Sequence, residues 1–278
     1  MNQPIGNSRR LLFLAIVAAT LQLGVVSAAL AQDPLPEART LIDRHIAAVG
    51  GEEKVRAATH GTVQGRFEMP GAGVSGPLTV ATRGPSQVAT RIELAGIGEI
   101  RAGVNDEVVW SMDPFTGPRL LEGKERDAQI ESTHPDASLR APSFITSATT
   151  TALTEKGGQA CHEVALVWRS GRETSDCYSP ETGLLVATQA VQVSPMGEIP
   201  VLTVLGGYKE MAGMLVATRT EQTVMGQSQV ITIESIDLAP PDDALFELPP
   251  AIKALAGQAA GASEPAPAPQ PATAAPAP

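Results

Sequence analysis

The stretch CHEVALVWRSGRETSDCYSPETGLL, residues 161–185, decides how the rest of the chain is interpreted. Its first run, residues 161–168, is rich in Val, Leu and Trp, a composition typical of a strand. The turn cluster Arg169-Ser170-Gly171 follows, and then a second extended run over residues 172–178. Two strand-like runs around a short turn that contains Gly predict a β-hairpin.

Both ends of the chain differ in composition from its middle. Arg9 and Arg10 precede an apolar run over residues 11–26 and a small-x-small site at residues 29–31, which predicts a secretory signal peptide over residues 1–31. The apolar run is shorter than the ~20 residues of a membrane-spanning helix, so the chain is not expected to be transmembrane after cleavage. A partial twin-arginine pattern leaves a second export route open.

The Pro- and Ala-rich residues 257–278 contain no large apolar side chains, which predicts a disordered tail. The folded domain is therefore expected over residues 32–256, in the periplasm. The whole chain has a net charge of −10, and residues 1–31 hold two Arg and no acidic residue, so the mature chain carries −12. An acidic chain without a basic cluster is unsuited to nucleic acids and to anionic membrane surfaces.

The hairpin carries one cysteine on each arm, Cys161 and Cys177, and the chain has no others. Because export places them in an oxidising compartment and two ligands are too few for a structural zinc, we predict a disulfide. A three-residue loop would pair Trp168 with Arg172 and set the cysteines diagonally on one face. A five-residue loop or a bulge would set them directly opposite each other.

The remaining periodicity predicts one helix followed by a sheet. Residues 36–49 have a helical apolar face and end at Gly50-Gly51. From residue 59 the period changes to two, which predicts roughly ten antiparallel strands. Residues 114–142 interrupt them with an excursion that contains four prolines and a charged, weakly helical piece at residues 121–131. Since the helix must bury its apolar face, we predict a mainly β fold with a strongly curved antiparallel sheet and a helix on its concave side.

No motif in the chain points to catalysis, a metal or a cofactor. Residues 71–76 match G-x-G-x-x-G, but Pro77 and a strand pattern follow instead of a helix, so a hairpin loop is predicted. The histidines lack the spacing of metal ligands, and no G-x-S-x-G occurs after residue 31. The histidines are His45, His60, His134 and His162.

Four short segments resemble the LolA/LolB superfamily of periplasmic lipoprotein carriers. They are AAVGGEE at 47–53, YSPETGL at 178–184, GYKE at 207–210 and PDDALFELP at 241–249, within a resemblance over about residues 36–256. The resemblance implies a half-open β-barrel whose helices and mid-chain excursion close an apolar cavity for acyl chains. The disulfide and the Pro/Ala tail depart from the carriers. The carriers' lid arginine matches no single position among Arg66, Arg83, Arg91 and Arg101.

These observations predict a non-catalytic periplasmic carrier or binding protein for lipid, lipoprotein acyl chains or another apolar ligand. The alternative is an envelope interaction or sensor module that uses the same groove for a protein partner, and an exported hydrolase is the least favoured function. The expected cavity residues are large and apolar: Leu41, Phe67, Val80, Ile92, Trp110, Val164, Leu166 and Trp168.

Overall fold

The computed structural model describes residues 34–194, 197–224 and 226–262. The predicted signal peptide, and the predicted tail from residue 263 onward, lie outside the described residues. The described residues from Leu35 onward belong to one compact unit. Within the described ranges, no helix is long and apolar enough to cross a membrane.

The helices follow the apolar and capping signals of the sequence. Gly50 ends the first helix with φ 127°, a backbone angle that side chains other than glycine rarely adopt. The Asp242 carboxylate caps the turn Asp243–Phe246 by accepting from the Ala244 N–H. The helices are α1 (Ala38–Val49), α2 (Glu52–Ala57), α3 (Gly123–Thr133), α4 (Pro135–Ser138) and α5 (Pro250–Ala262).

Thirteen strands in the described residues form one antiparallel sheet. They are β1 (His60–Met69), β2 (Val74–Arg83), β3 (Gln87–Leu94), β4 (Gly98–Asn105), β5 (Val108–Asp113), β6 (Gly117–Leu120), β7 (Ile145–Lys156), β8 (Gln159–Trp168), β9 (Glu173–Tyr178), β10 (Leu185–Ser194), β11 (Gly197–Met211), β12 (Met214–Val224) and β13 (Gln227–Asp237).

The sheet consists of two meanders joined by one long-range strand pair. Strands β1 to β6 pair in sequence order, strands β7 to β13 do the same, and β1 pairs with β13. The order ends at β6 and β7, so the described sheet is open. The predicted mainly β, open antiparallel sheet with an N-terminal helix is confirmed. Residues 71–73 lie in the turn of the β1–β2 hairpin, and residues 74–76 already belong to β2, so this segment is a hairpin as expected.

Contacts of α3 show that the sheet is strongly curved. This helix contacts both β5 and β10, which lie eight strand spacings apart in the sheet order. In a flat sheet that separation would be roughly 38 Å, whereas an 11-residue helix is about 16 Å long. The sheet therefore bends around α3. We call the face towards α1 and α3 the concave face and the opposite face the convex face.

The main core lies between α1 and the concave face of β8 and β9. Side chains at helical spacing on α1 are buried there, as the apolar periodicity predicts. The cluster comprises Ala38, Leu41, Ile42, Ile46, Ala137, Leu139, Ile145, Val164, Leu166, Trp168, Tyr178 and Leu185. A second cluster on the concave face of the first meander comprises Phe67, Leu78, Ile92 and Leu94.

The C-terminal segment covers part of the convex face of the first meander. Arg83 pairs with Asp243, and its guanidinium lies 4.5 Å from the ring centroid of Phe246. The side-chain amide of Asn105 donates to the Phe246 carbonyl at 2.9 Å. Helix α5 then contacts β6. This helix extends to residue 262, so residues 257–262, expected to belong to the disordered tail, are helical.

The hairpin of residues 161–178 has the three-residue loop, which decides between the two expected registers. The Trp168 N–H donates to the Arg172 carbonyl at 2.8 Å, and Gly171 has φ 81°. In this register Cys177 lies opposite Glu163, so the disulfide joins Cys161 and Cys177 diagonally. Both cysteines are fully buried on the convex face, while Val164 is fully buried on the concave face. The strand is therefore covered on both faces, as its composition indicated.

Candidate ligand-binding site

A cavity of about 570 Å³ lies between α3 and the concave face of the second meander. Ala190 of β10 and Val201 of β11 are register partners on one side of it. Thr203 of β11 and Gln222 of β12 are partners further along. Small-molecule pockets typically measure ~300–1,000 Å³, so this cavity is large enough for a ligand. We refer to it as the α3 cavity.

Helix α3 is mostly polar, and one side chain carries most of its apolar contact. Ile130 packs against Val104, Val109 and Leu121 at the first meander. The remaining sequence, GKERDAQ before it and EST after it, offers little apolar surface. Helices of this kind depend on polar contacts for their position, since they bury little apolar area. Ala128 and Gln129 are among the α3 residues that line the cavity.

Two ion pairs connect α3 to the second meander. The Arg172 guanidinium, in the loop between β8 and β9, lies 3.1 Å from the buried Glu131 carboxylate. At the other end, the Lys124 ammonium is 3.6 Å from the Glu198 carboxylate, and both side chains are exposed. The first pair is largely shielded from water and is the stronger restraint, since exposed pairs contribute little.

The Trp168 indole connects the Arg172 pair to a second buried ion pair. The guanidinium of Arg172 lies 4.3 Å from the Trp168 ring centroid, and that of Arg140 lies 5.4 Å away. Both distances are within the range of a cation–π interaction. The Nε of Arg140 donates to the buried Asp176 carboxylate at 2.7 Å, and the Tyr178 hydroxyl donates to the same oxygen at 2.9 Å. Contacts thus run without a break from α3 to the main core.

Ionisation in this network is strongly perturbed. Burial opposes the charge on Arg140, but the adjacent Asp176 carboxylate raises the pKa of Arg140 above its ordinary value. Burial, and then the same carboxylate, raise the pKa of Tyr178 well above its ordinary value. Burial, followed by the nearby Arg140 charge, lowers the pKa of His45 to about 4. The neutral His45 ring accepts a hydrogen bond from the Leu185 N–H at 3.1 Å.

A second cavity of about 340 Å³ lies on the other side of α3. Gln129 and Ser132 line both cavities, so α3 separates them. Val80 of β2 and Val55 of α2 line this second cavity. The Thr133 hydroxyl donates to the Pro85 carbonyl at 3.0 Å, which fixes the end of α3 to the turn between β2 and β3. Displacement of α3 would therefore join the two spaces on the concave face.

The eight residues expected to line the cavity occupy three different environments. Leu41, Val164, Leu166 and Trp168 lie together in the main core. The second cluster contains Phe67 and Ile92, with Val80 packed against it. Val80 alone of this group also lines a cavity on the concave face, the smaller one.

Trp110 lies on the convex face, contrary to its expected place in the cavity. It is the register partner of Gly103, and Gly103 is the partner of Ala89 on the face opposite Ile92. Ala244 and Leu245 of the C-terminal segment lie beside Trp110 around a small convex pocket of about 170 Å³. Strand alternation shows which residues share a face, but not which face is concave, so the sequence could not place this side chain.

Most of the residues that line the α3 cavity were missed because they are small or polar. Ala190, Thr203 and Gln222 point to the concave face, and they leave space where large side chains would fill it. A search for large apolar residues selects core positions instead. Their shared signal is the small and polar residues at the concave positions of β10 and β12, together with Thr203 on the strand between them. Within the described residues, no group of three metal-binding side chains is present.

Comparison with known proteins supports a fold relationship. No family model and no curated protein matches the sequence. A LolA superfamily protein from Nitrosomonas europaea has 12% identity and a TM-score of 0.50, over 77% of this chain and 99% of that protein. A DUF1329 family protein from Desulfovibrio piger has 11% identity and a TM-score of 0.51, over 77% and 98%. At these identities the comparison shows a shared fold: this chain has the fold of a LolA superfamily protein over nearly the full length of that protein, with an open antiparallel sheet curved around helices.

Proposed function

We propose that this chain is a non-catalytic binding protein or carrier for a lipid or another apolar ligand, held in the α3 cavity. The α3 cavity itself carries the proposal, because it lies where a curved sheet and a weakly packed helix meet. Its walls combine apolar side chains such as Val201 with polar ones at α3, which suits an amphiphile with a buried chain and an exposed head. Each buried CH₂ contributes ~0.8 kcal/mol to binding.

Helix α3 is the element we propose to move when ligand enters or leaves. Four side chains of α1 are buried in the main core, so displacing α1 would expose that core. Helix α3 packs on a hydrophobic cluster through Ile130 alone, which is partly buried, and is otherwise held by ion pairs and hydrogen bonds. Elements with few apolar contacts open at the lowest free-energy cost. The excursion of residues 114–142 therefore supplies the lid, and α1 stays in place.

The site of action that we propose is the periplasm, reached after removal of residues 1–31. Bonding of both cysteines supports this location, because disulfides persist in oxidising compartments. A domain that includes all of α5, over residues 32–262, and a tail over residues 263–278 complete the proposed organisation.

Lipid extraction of the purified protein, followed by mass spectrometry, tests the proposed function. Binding of a fluorescent long-chain fatty acid provides a second measurement. Ala190→Phe, which fills the cavity from β10, is expected to weaken binding of the probe at least about tenfold, equivalent to ~1.4 kcal/mol. Gln189→Phe places the same ring on the exposed convex face of the same strand and is the matched control, with unchanged binding expected.

Absence of lipid from the purified protein, together with no probe binding, would overturn the proposal. A stoichiometric envelope protein found in its place would assign the groove to a protein partner. Equal loss of binding in both variants would show that the probe does not occupy the α3 cavity.

A further inference from the structure

The two ends of the sheet differ in how they are protected. Strand β6 has four residues, includes Pro118, and is contacted by α5. Strand β7 has twelve residues, and in the described part of the chain it pairs with β8 alone. Short length, proline and a covering helix are devices that keep edge strands from pairing with other chains. All three are present at β6. Strand β7 is long and has no proline, and it is contacted by α1 and by the Pro36 carbonyl at Thr150 only on its concave face, so its outer edge stays unpaired among the described residues.

The sequence of β7 favours pairing along most of its length. Residues 145–154, ITSATTTALT, contain no charge and no proline, and six of the ten are β-branched. Two bulges occur, at Thr146 and Thr151, but both hydroxyls donate inward to carbonyls of β8. Ser147, Thr149 and Leu153 are exposed, the last to 60%. A long uncharged edge with an exposed leucine is a surface for strand addition.

We propose that β7 is the surface through which two copies of this chain associate, by antiparallel pairing of one β7 with the other. A two-fold axis near Thr150 would place Thr149 of one copy beside Thr151 of its partner, and threonine pairs across strands are favourable. Glu155 would face Ile145 of the partner copy, so no like charges are opposed. The absence of opposed like charges matters because each mature chain has a net charge of −12, so two copies repel each other at long range.

The charge and composition of the chain favour a second copy over the chain's own C-terminal segment. Residues 263–278 contain six prolines, which lack the N–H that a strand ladder requires. The centre of β7 is neutral and rich in threonine, so it matches itself better than it matches a charged peptide. The proposed dimer is independent of any ligand in the α3 cavity, which lies on the concave face of β10, β11 and β12.

Sedimentation of the mature protein over a range of concentrations tests the proposal. The wild type is expected to shift from monomer to dimer as concentration rises. Thr149→Lys with Thr151→Lys sets lysines opposite each other across the two-fold axis, and should raise the dissociation constant at least about tenfold. Thr223→Lys with Ser235→Lys adds the same charge to exposed positions of β12 and β13, inside the sheet, and should leave the dimer intact.

Circular dichroism spectra and melting temperatures establish that both double variants are folded. Hydrogen exchange at β7 amides should slow as the wild type dimerises. A wild type that stays monomeric at every concentration overturns the proposal. So does a dimer that survives the β7 lysines, or one that is lost equally in the control variant with lysines on β12 and β13.

Discussion

Asp176 is the residue on which the interior polar contacts converge. Its carboxylate accepts hydrogen bonds from Arg140 and Tyr178, and its side chain is 2% exposed. Asp176→Asn leaves the Arg140 charge without a counter-ion in the core, so we expect a loss of ~3–5 kcal/mol in the free energy of unfolding. Urea denaturation measures this. Glu221→Gln, at the exposed pair with Arg219, is the control and should change stability by less than ~1 kcal/mol.

His45 should make the stability of the protein depend on pH. Its pKa is lowered from 6.5 to about 4 in the folded state, so the unfolded chain binds the proton more readily. Stability is therefore full above pH 6.5 and falls as the pH drops towards 4, by up to ~3 kcal/mol. His45→Asn keeps an acceptor for the Leu185 N–H and should flatten this part of the pH profile. His60→Asn, at an exposed histidine, should leave the slope unchanged.

The type of each residue was sufficient to predict many of the buried side chains, but it did not predict which residues line the α3 cavity. Leu41, Val164 and Trp168 are buried, as their size and apolarity require, but they fill the main core. The α3 cavity forms where Ala190 and Thr203 are too small to fill the concave face. A cavity is space that the surrounding elements leave unfilled. Its position depends on how those elements pack, and therefore on contacts between residues that are distant in the sequence.

At the scale of elements, local periodicity was sufficient for most strands and for α1. Strand β6 was missed, because Gly117 and Pro118 resemble a turn and the strand is only four residues long. The weakly helical segment expected at residues 121–131 is α3, at Gly123–Thr133. Its position across the concave face could not be predicted, because it depends on Arg172, in a loop far along the chain.

The hairpin of β8 and β9 should lose stability without its disulfide. The bond closes a loop with a sequence separation of 16 residues, for which the chain-entropy model gives ~3 kcal/mol. Replacing both Cys161 and Cys177 by Ala should lower the midpoint of urea denaturation and leave fatty-acid binding unchanged, since the bond is on the convex face. Loss of binding with stability retained would contradict this assignment.

Helix α3 should open more often when its buried ion pair is removed. Glu131→Gln takes away the carboxylate that holds Arg172, so exchange of bound fatty acid should accelerate on the order of tenfold. Stopped-flow displacement of the fluorescent probe measures the rate. Lys124→Gln breaks the exposed pair with Glu198 and should change the rate little. Equal rates in the wild type and Glu131→Gln would exclude this pair as the restraint on α3.

For the whole molecule, we expect the exported chain to begin close to Gln32. Mass spectrometry of the protein from a periplasmic extract should show removal of residues 1–31 and a mass two units below that of the reduced chain, for the disulfide. A chain that retains residues 1–31, or that is found only in the cytoplasm, would contradict the proposed location. The control is Ala29→Arg with Ala31→Arg, which removes the small residues of the cleavage site and should block processing.

The β1–β13 pair is expected to form last when the sheet assembles. Every other strand pair joins neighbours along the chain, so each meander can grow from hairpins as soon as its residues are available. The pair of Thr62 with Asp237 instead closes a loop of most of the domain. Such closure is entropically costly and slow to form. If the chain crosses a membrane from its N-terminus, the β1–β13 pair at the centre of the sheet can form only after β13 has crossed. Until then the two meanders are not joined, and the part of the chain still to cross can remain unfolded.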